Sequence, residues 1–196
     1  MVGNDTLESV ERRRTLGRIA LVTLAISIAF GVWAHVASAA STYVPNTGTP
    51  SADGTALSLA IGNAAAGDVI YLGPGTYAPS QSLDLTKNVT IVGLSSGQTV
   101  IDGGNLQTPS TVSGNLDLIV AGLPIGSSGT EPTVALRNLK LTGTGTNGNA
   151  LDVFGATTTV DHSLFVNSGT NVGVNSNGTL TLTNSTINGQ DRKSVV

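Results

Sequence analysis

Asp161 and His162 form an adjacent carboxylate–imidazole couple. Such a couple can move a proton near neutral pH. Asp152 stands between Leu151 and Val153, and Lys140 between Leu139 and Leu141. On strands, that alternation points both charged groups away from the apolar face. An outward Asp beside a Lys or Arg can take the proton α to a carboxylate, while a cation such as calcium stabilises the charge that develops. Asp152, Lys140, Asp161 and His162 are therefore the catalytic candidates. Asp117 and Asp152 are the candidates for holding a cation. Each has a competing structural reading. His162 recurs at the position of Asn138 and Asn184, as a bend residue would. Asp152 and Lys140 read as solvated surface charges, and two acids are few for a metal site. Asp102-Gly103-Gly104-Asn105 reads as an ordinary turn. Gly73-Pro74-Gly75 lacks the Lys and the strand-to-helix context of a phosphate loop. No cofactor is evident, and the catalytic set stays open.

Composition says what must position these groups. The chain of 196 residues has 25 Gly, no Cys, 11% charged and 4% aromatic residues. Abundant Thr, Val, Asn and Gly favour short strands and tight turns. The absence of Cys excludes disulfides and thiolate metal sites. Between residues 41 and 190 eight acids face three bases, Lys87, Arg137 and Lys140, a net of −5. No basic patch exists to follow phosphates, so nucleic acid is not an expected partner.

Residues 67–93 hold three β-type runs, 69–72, 82–85 and 89–92, separated by turn residues. Three later segments, 133–143, 157–167 and 179–189, align with one another at offsets of 24 and 22 residues. In each, alternation of period two is followed by a three-residue step: Val134 and Leu136, then Leu139 and Leu141. A pleated strand cannot step by three and keep one face inward, so each segment bends there. Asn138, His162 and Asn184 mark the bend, and Asn88 is aligned with them as a ladder of stacked polar side chains. A second strand at Leu151 and Val153 recurs at Val172 and Val174. Coils of about 22 residues with two or three strands indicate a parallel β-helix. Residues 104–132, with Pro109, Pro124 and Pro132, predict an irregular coil with a loop protruding near 122–132. Residues 53–67 predict a short amphipathic helix covering the first coil, with Asp53 or Thr55 at its start and Gly67 at its end.

The order of Ala-rich helix, G-D-V-I-Y-L at 67–72, G-P-G-T-Y at 73–77, N-V-T-I-V-G at 88–93 and V-I-D-G at 100–103 resembles the amino-terminal coil of the pectate-lyase-like family. The resemblance implies an all-β, right-handed parallel β-helix with a capping helix, over about residues 53–190. That family includes lyases, hydrolases, epimerases, adhesins and phage tailspikes, so it implies a fold more than an activity. Calcium is implied only if the chain is a lyase.

Before the helix, Arg12, Arg13, Arg14 and Arg18 precede an apolar run over 19–36 that ends in Ala37-Ser38-Ala39. This pattern predicts a signal peptide over 1–40, cut after Ala39 or Ala40. The competing reading is an uncleaved membrane anchor of about 18–20 residues. Both place the rest outside the cytoplasm. Residues 41–52 read as a flexible linker. At the other end, residues 191–196 break the composition, and a GAT CGG AAG AGC GTC GTG coding matches a sequencing adapter. A non-native tail on an incomplete β-helix is the expectation.

Two functions follow. One is an extracellular or cell-surface protein, associated with polysaccharide or surface glycans and non-catalytic over these coils. The other is a secreted lyase or hydrolase acting on acidic polysaccharide.

Overall fold

The computed structural model describes residues 39–95, 98–143, 148–166 and 178–188. In chain order the elements are β1 (Ser41–Val44), α1 (Pro50–Asn63), β2 (Asp68–Leu72), β3 (Gly75–Tyr77), β4 (Leu83–Leu85), β5 (Val89–Gly93) and β6 (Thr99–Asp102). After a 3₁₀ turn at Gly103–Asn105 come β7 (Ile119–Gly122), β8 (Thr133–Arg137), β9 (Lys140–Thr142), β10 (Leu151–Phe154), β11 (Thr157–Asp161), β12 (Leu164–Val166), β13 (Thr179–Thr183) and β14 (Thr186–Asn188).

The strands form three parallel sheets. The first has the order β1-β2-β5-β8-β11-β13, the second β3-β6-β9-β12-β14, and the third β4-β7-β10. Consecutive strands leave one sheet for another, and each returns beside its counterpart from the level before. This is a solenoid-like arrangement. The three aligned segments are the strand pairs β8-β9, β11-β12 and β13-β14, with Thr133, Thr157 and Thr179 in register. Ile70, Ile91, Leu136 and Val160 stack along the interior of the first sheet and are fully buried. Tyr77, Ile101, Leu141 and Phe165 do the same in the second. Leu83, Ile119 and Leu151 line the interior of the third.

The bend explains the repeated polar residue. Asn138, His162 and Asn184 have φ of 55°, 48° and 49°. In this left-handed region Asn, Asp and His are enriched among non-glycine residues. The backbone N–H of Asn138 donates to the Asp161 carbonyl, 3.1 Å, and that of His162 to Thr183, 3.1 Å. The side-chain ladder lies one residue later and is made of serine. Ser163 Oγ accepts from Leu139 N at 3.2 Å, and Ser185 Oγ accepts from Ser163 N at 3.1 Å. Asn88 does not belong to this bend. It precedes β5, and its Oδ1 accepts from Thr133 N at 2.8 Å. Gly93, one residue beyond the paired Val92 and Arg137, occupies the level of Asn138.

Three further expectations change. Residues 41–52 are not a linker: β1 pairs in parallel with β2, and α1 begins at Pro50. The helix ends at Asn63, and Gly67 (φ 96°) makes the turn into β2. Neither Asp53 nor Thr55 caps it, because Asp53 reaches back to accept from Thr47 N and Oγ1, the latter at 2.7 Å. Gly54, Leu57 and Ile61 lie on its buried side with Asp53. β3 was hidden by the Gly73-Pro74-Gly75 punctuation before it. The irregular stretch is as expected: no strand spans 123–132, and Ile125 is exposed. Val172 and Val174, residues 1–38 of the expected signal peptide and the carboxyl-terminal tail lie outside the described residues. Among the described residues no helix is long and apolar enough to cross a membrane.

Two substitutions test this account by urea denaturation. Asn138→Gly keeps the left-handed bend and is expected to be near neutral, whereas Asn138→Val is expected to cost about 1–2 kcal/mol. Thr158 faces inward between Val134 and Leu180, and its hydroxyl has no hydrogen-bond partner among the described residues. Thr158→Val removes that stranded hydroxyl at nearly constant shape and is expected to stabilise by about 1–2 kcal/mol.

Candidate functional site

The acids cluster on the outer side of the third sheet. Asp84, Val120 and Asp152 share one column there, between the inward pairs Leu83 and Leu85, Ile119 and Ala121, and Leu151 and Val153. An outward column is expected to meet solvent. Here Val120 is 0% and Asp152 1% exposed, so the face is covered.

Residues 106–118 are tied to this face through carboxylates. Asp84 accepts from Ser110 Oγ at 2.6 Å, from Thr111 Oγ1 at 2.6 Å and from Thr111 N at 2.8 Å. Ser110 Oγ also accepts from Val112 N, 2.9 Å, and Val112 is fully buried. Gly114 (φ 75°) turns the segment back, and Ser113 Oγ then donates to Asp117 Oδ2 at 2.7 Å. Asp117 Oδ1 accepts from Asn149 N, 2.8 Å, which fastens the strap to the chain entering β10. That chain passes so close that a Cβ on Gly148 would collide with the Leu116 carbonyl oxygen.

Asp152 is the acid left over. Among the described residues neither of its buried oxygens has a hydrogen-bond partner. Burial, and then the negative charge of Asp117, push its pKa up to about 6. Asp117 also favours the protonated form as an acceptor, although no bond of ordinary length closes between the two groups. Both oxygens of Asp117 are already engaged, and among the described residues no group of three or more His, Asp or Glu could hold a metal ion. Of the calcium candidates, then, Asp117 and Asp152 are brought together beneath the strap.

The other candidates are not brought to this place. Lys140 is on the second sheet, in the outward column of Val100 and Leu164. Asp161 and His162 sit at the bend between the first and second sheets. Their side chains do face each other, with His162 Nδ1 2.8 Å from Asp161 Oδ2. The other Asp161 oxygen accepts from Thr183 Oγ1, 2.8 Å, and Asn184 Nδ2, 3.0 Å. The His162 contact first, then Asn184 and Thr183, lower the Asp161 pKa to about 2. The imidazole is 58% exposed, and its Nε2 has no partner among the described residues. This is a strong local tie across a bend, with no hydroxyl poised for activation.

Sequence reasoning missed Asp84 and the strap serines. One signal was available: L-D-L at 83–85 and L-D-V at 151–153 share an alternation that places both acids in one column. The same reasoning took Asp152 for a solvated charge. Its burial comes from a segment some forty residues earlier, which no local pattern around Asp152 contains.

Asp152 has a raised pKa, so the folded chain holds its proton more tightly than the unfolded chain. Stability is therefore greatest below pH 4 with respect to this group and falls as pH rises from about 4 to about 6. The loss is on the order of 3 kcal/mol. Asp152→Asn mimics the neutral acid. It is expected to raise the melting temperature at pH 7–8 and to leave it nearly unchanged at pH 4, as measured by thermal denaturation across that range.

No protein-family model, no curated protein and no solved structure matches this chain.

Proposed function

We propose that the chain is an exported, right-handed parallel β-helix of the pectate-lyase-like kind, serving as a non-catalytic protein of the cell surface or of extracellular polysaccharide. One observation carries this reading: the acids are spent on the fold. Asp53, Asp68, Asp84, Asp102, Asp117 and Asp161 all accept hydrogen bonds from backbone or side-chain donors. Asp152, the exception among the described aspartates, is sealed beneath the strap. The described surface presents no acid, base and cation set open to a substrate. It does present repetition. Thr133, Thr157 and Thr179 stack along the outside of the first sheet, and Thr90, Ala135, Thr159 and Thr181 form a second such column. Short hydroxylated side chains at strand spacing, about 4.8 Å, suit a rigid stalk or a surface that rests against glycans.

The second reading is a lyase or hydrolase acting on acidic polysaccharide. It is favoured by Asp152, a buried carboxyl beside Asp117 whose proton affinity is raised, as a general acid's is. Calcium enters only in this reading.

The full chain, exported by a bacterial host, separates the two. Incubation with polygalacturonate, with and without calcium, is expected to yield neither unsaturated uronate nor new reducing ends. The same protein is expected to co-sediment with insoluble polysaccharide or cell walls. Product formation that is lost in Asp152→Asn or Lys140→Ala would overturn the non-catalytic reading.

A further inference from the structure

Asp68 opens β2 and is 8% exposed. It accepts two backbone N–H bonds, from Ala40 at 2.8 Å and from Ala65 at 2.8 Å. These bonds, the Ala40 one foremost, hold it below the usual carboxylate range. It is a buried anion without an ion-pair partner among the described residues. Lys87 acts on it at a distance, but the Lys87 ammonium is committed elsewhere, donating to the carbonyls of Ala64 at 2.7 Å and Gly62 at 3.2 Å at the end of α1. The donor on the other side is the nitrogen of Ala40, directly after the Ala37-Ser38-Ala39 exit of the apolar run.

We propose that export processing cuts the chain between Ala39 and Ala40, and that the new α-ammonium of Ala40 becomes the ion-pair partner of Asp68. The cut is a hydrolysis by the signal-cleaving peptidase of the export route. Water adds across the Ala39–Ala40 bond, Ala39 leaves as a carboxylate, and the Ala40 nitrogen takes up a proton. The nitrogen already lies at ion-pair distance from Asp68. Ala39 and Ala40 are exposed, so the two additional ammonium hydrogens point to water. The same geometry chooses between the two cuts that the sequence permits. A cut after Ala40 would remove the donor to Asp68 and also the Ala40 carbonyl, which accepts from Val69 N at 2.9 Å. The next nitrogen lies one residue further along the extended chain, about 3.3–3.6 Å away. A cut after Ala39 keeps both bonds and makes one of them charge-assisted. Maturation would thus fasten β1 to β2.

This inference rests on the export reading, and the test separates the two. The full chain is expressed in a secreting bacterial host and the first residue of the exported product is read by mass spectrometry. Ala40 is expected. The wild-type product and Asp68→Asn are then melted from pH 7 to pH 10. A free α-amine titrates at about 8, and pairing with Asp68 raises that value in the folded chain. The stabilisation is therefore present at pH 7 and lost as pH rises through the higher folded value. Wild type is expected to lose about 2–4 °C over this range beyond any loss in Asp68→Asn, and the same difference is expected between Lys87→Ala and Lys87→Ala with Asp68→Asn, which takes the lysine's attraction to Asp68 out of the comparison. If Asp68→Asn does not fold, the Asp68 side-chain carboxyl carbon is followed by NMR in the wild-type product, where it is expected to report an amine titration above pH 8. A product that begins at Ser41, a chain that is exported uncut, or an Ala40 product without the alkaline difference or the NMR titration overturns the inference. Absence of any exported product rejects the export reading and this inference with it.

Discussion

Register between parallel strands is the constraint on which the rest of this structure depends. A side chain at one level rests on its counterpart at the level below, so the column Ile70, Ile91, Leu136, Val160 stays buried only if every level turns at the same residue. That requirement reaches down to single dihedral angles. The bend between the first and second sheets needs a left-handed residue, and three successive levels meet it with Asn138, His162 and Asn184. The residue type follows from backbone sterics, with asparagine amides and an imidazole serving equally. The serines that come next have a different task. A bend interrupts the ladder of backbone bonds, and Ser163 and Ser185 supply hydroxyl oxygens to N–H groups that would otherwise be stranded.

The same shortage of acceptors accounts for the acids. Wherever the chain leaves a sheet, backbone N–H groups lose their regular partners, and a carboxylate can accept several at once. Asp53 gathers the approach to α1, Asp68 the approach to β2, Asp84 the strap, and Asp117 the entry to β10. A buried negative charge is costly unless it is met in this way. Asp152 is met by no donor among the described residues, and its environment answers the cost by raising its proton affinity, so that the neutral acid is held up to about pH 6 and the charge is carried at a cost above it. Covering and neutrality support each other at that position: the strap excludes water, exclusion of water favours the neutral acid, and a neutral acid tolerates the cover.

Stacking is also what made much of the fold legible in the sequence. Equivalent positions on successive levels face the same neighbours, so T-V-A-L-R-N, T-T-T-V-D-H and T-L-T-L-T-N could be aligned, and the observed register joins them in that alignment. Legibility stopped where an element is defined by a distant partner. β1 has only four residues, and what makes it a strand is β2, 28 residues later. β3 lies directly behind a Gly-Pro-Gly turn and is a strand because β6 pairs with it. Asn88 aligned with the bend residues by type alone, while its actual role is to receive Thr133 N from 45 residues away. The candidate site failed in the same manner. That Asp152 faces outward could be read from Leu151 and Val153, whereas the segment that covers it is remote in sequence.

Aspartate, histidine and lysine in alternation with apolar residues therefore have two physical meanings on such a surface, and the side chains alone do not separate them. What separates them is the number of donors each group already serves and the access of water to it. Asp161 is partly exposed, yet His162, Thr183 and Asn184 occupy it, and its proton affinity is lowered accordingly. Asp152 serves no donor, but the closed strap denies it a substrate. Lys140 is partly exposed on a different sheet from Asp152, and the acid two residues along its neighbouring strand, Asp102, accepts from Gly104 N. Each of the three lacks a different requirement of a working acid–base centre, and for a common reason. The columns hold neighbouring levels in register, and the charged residues between them are placed by the demands of that register, one sheet at a time.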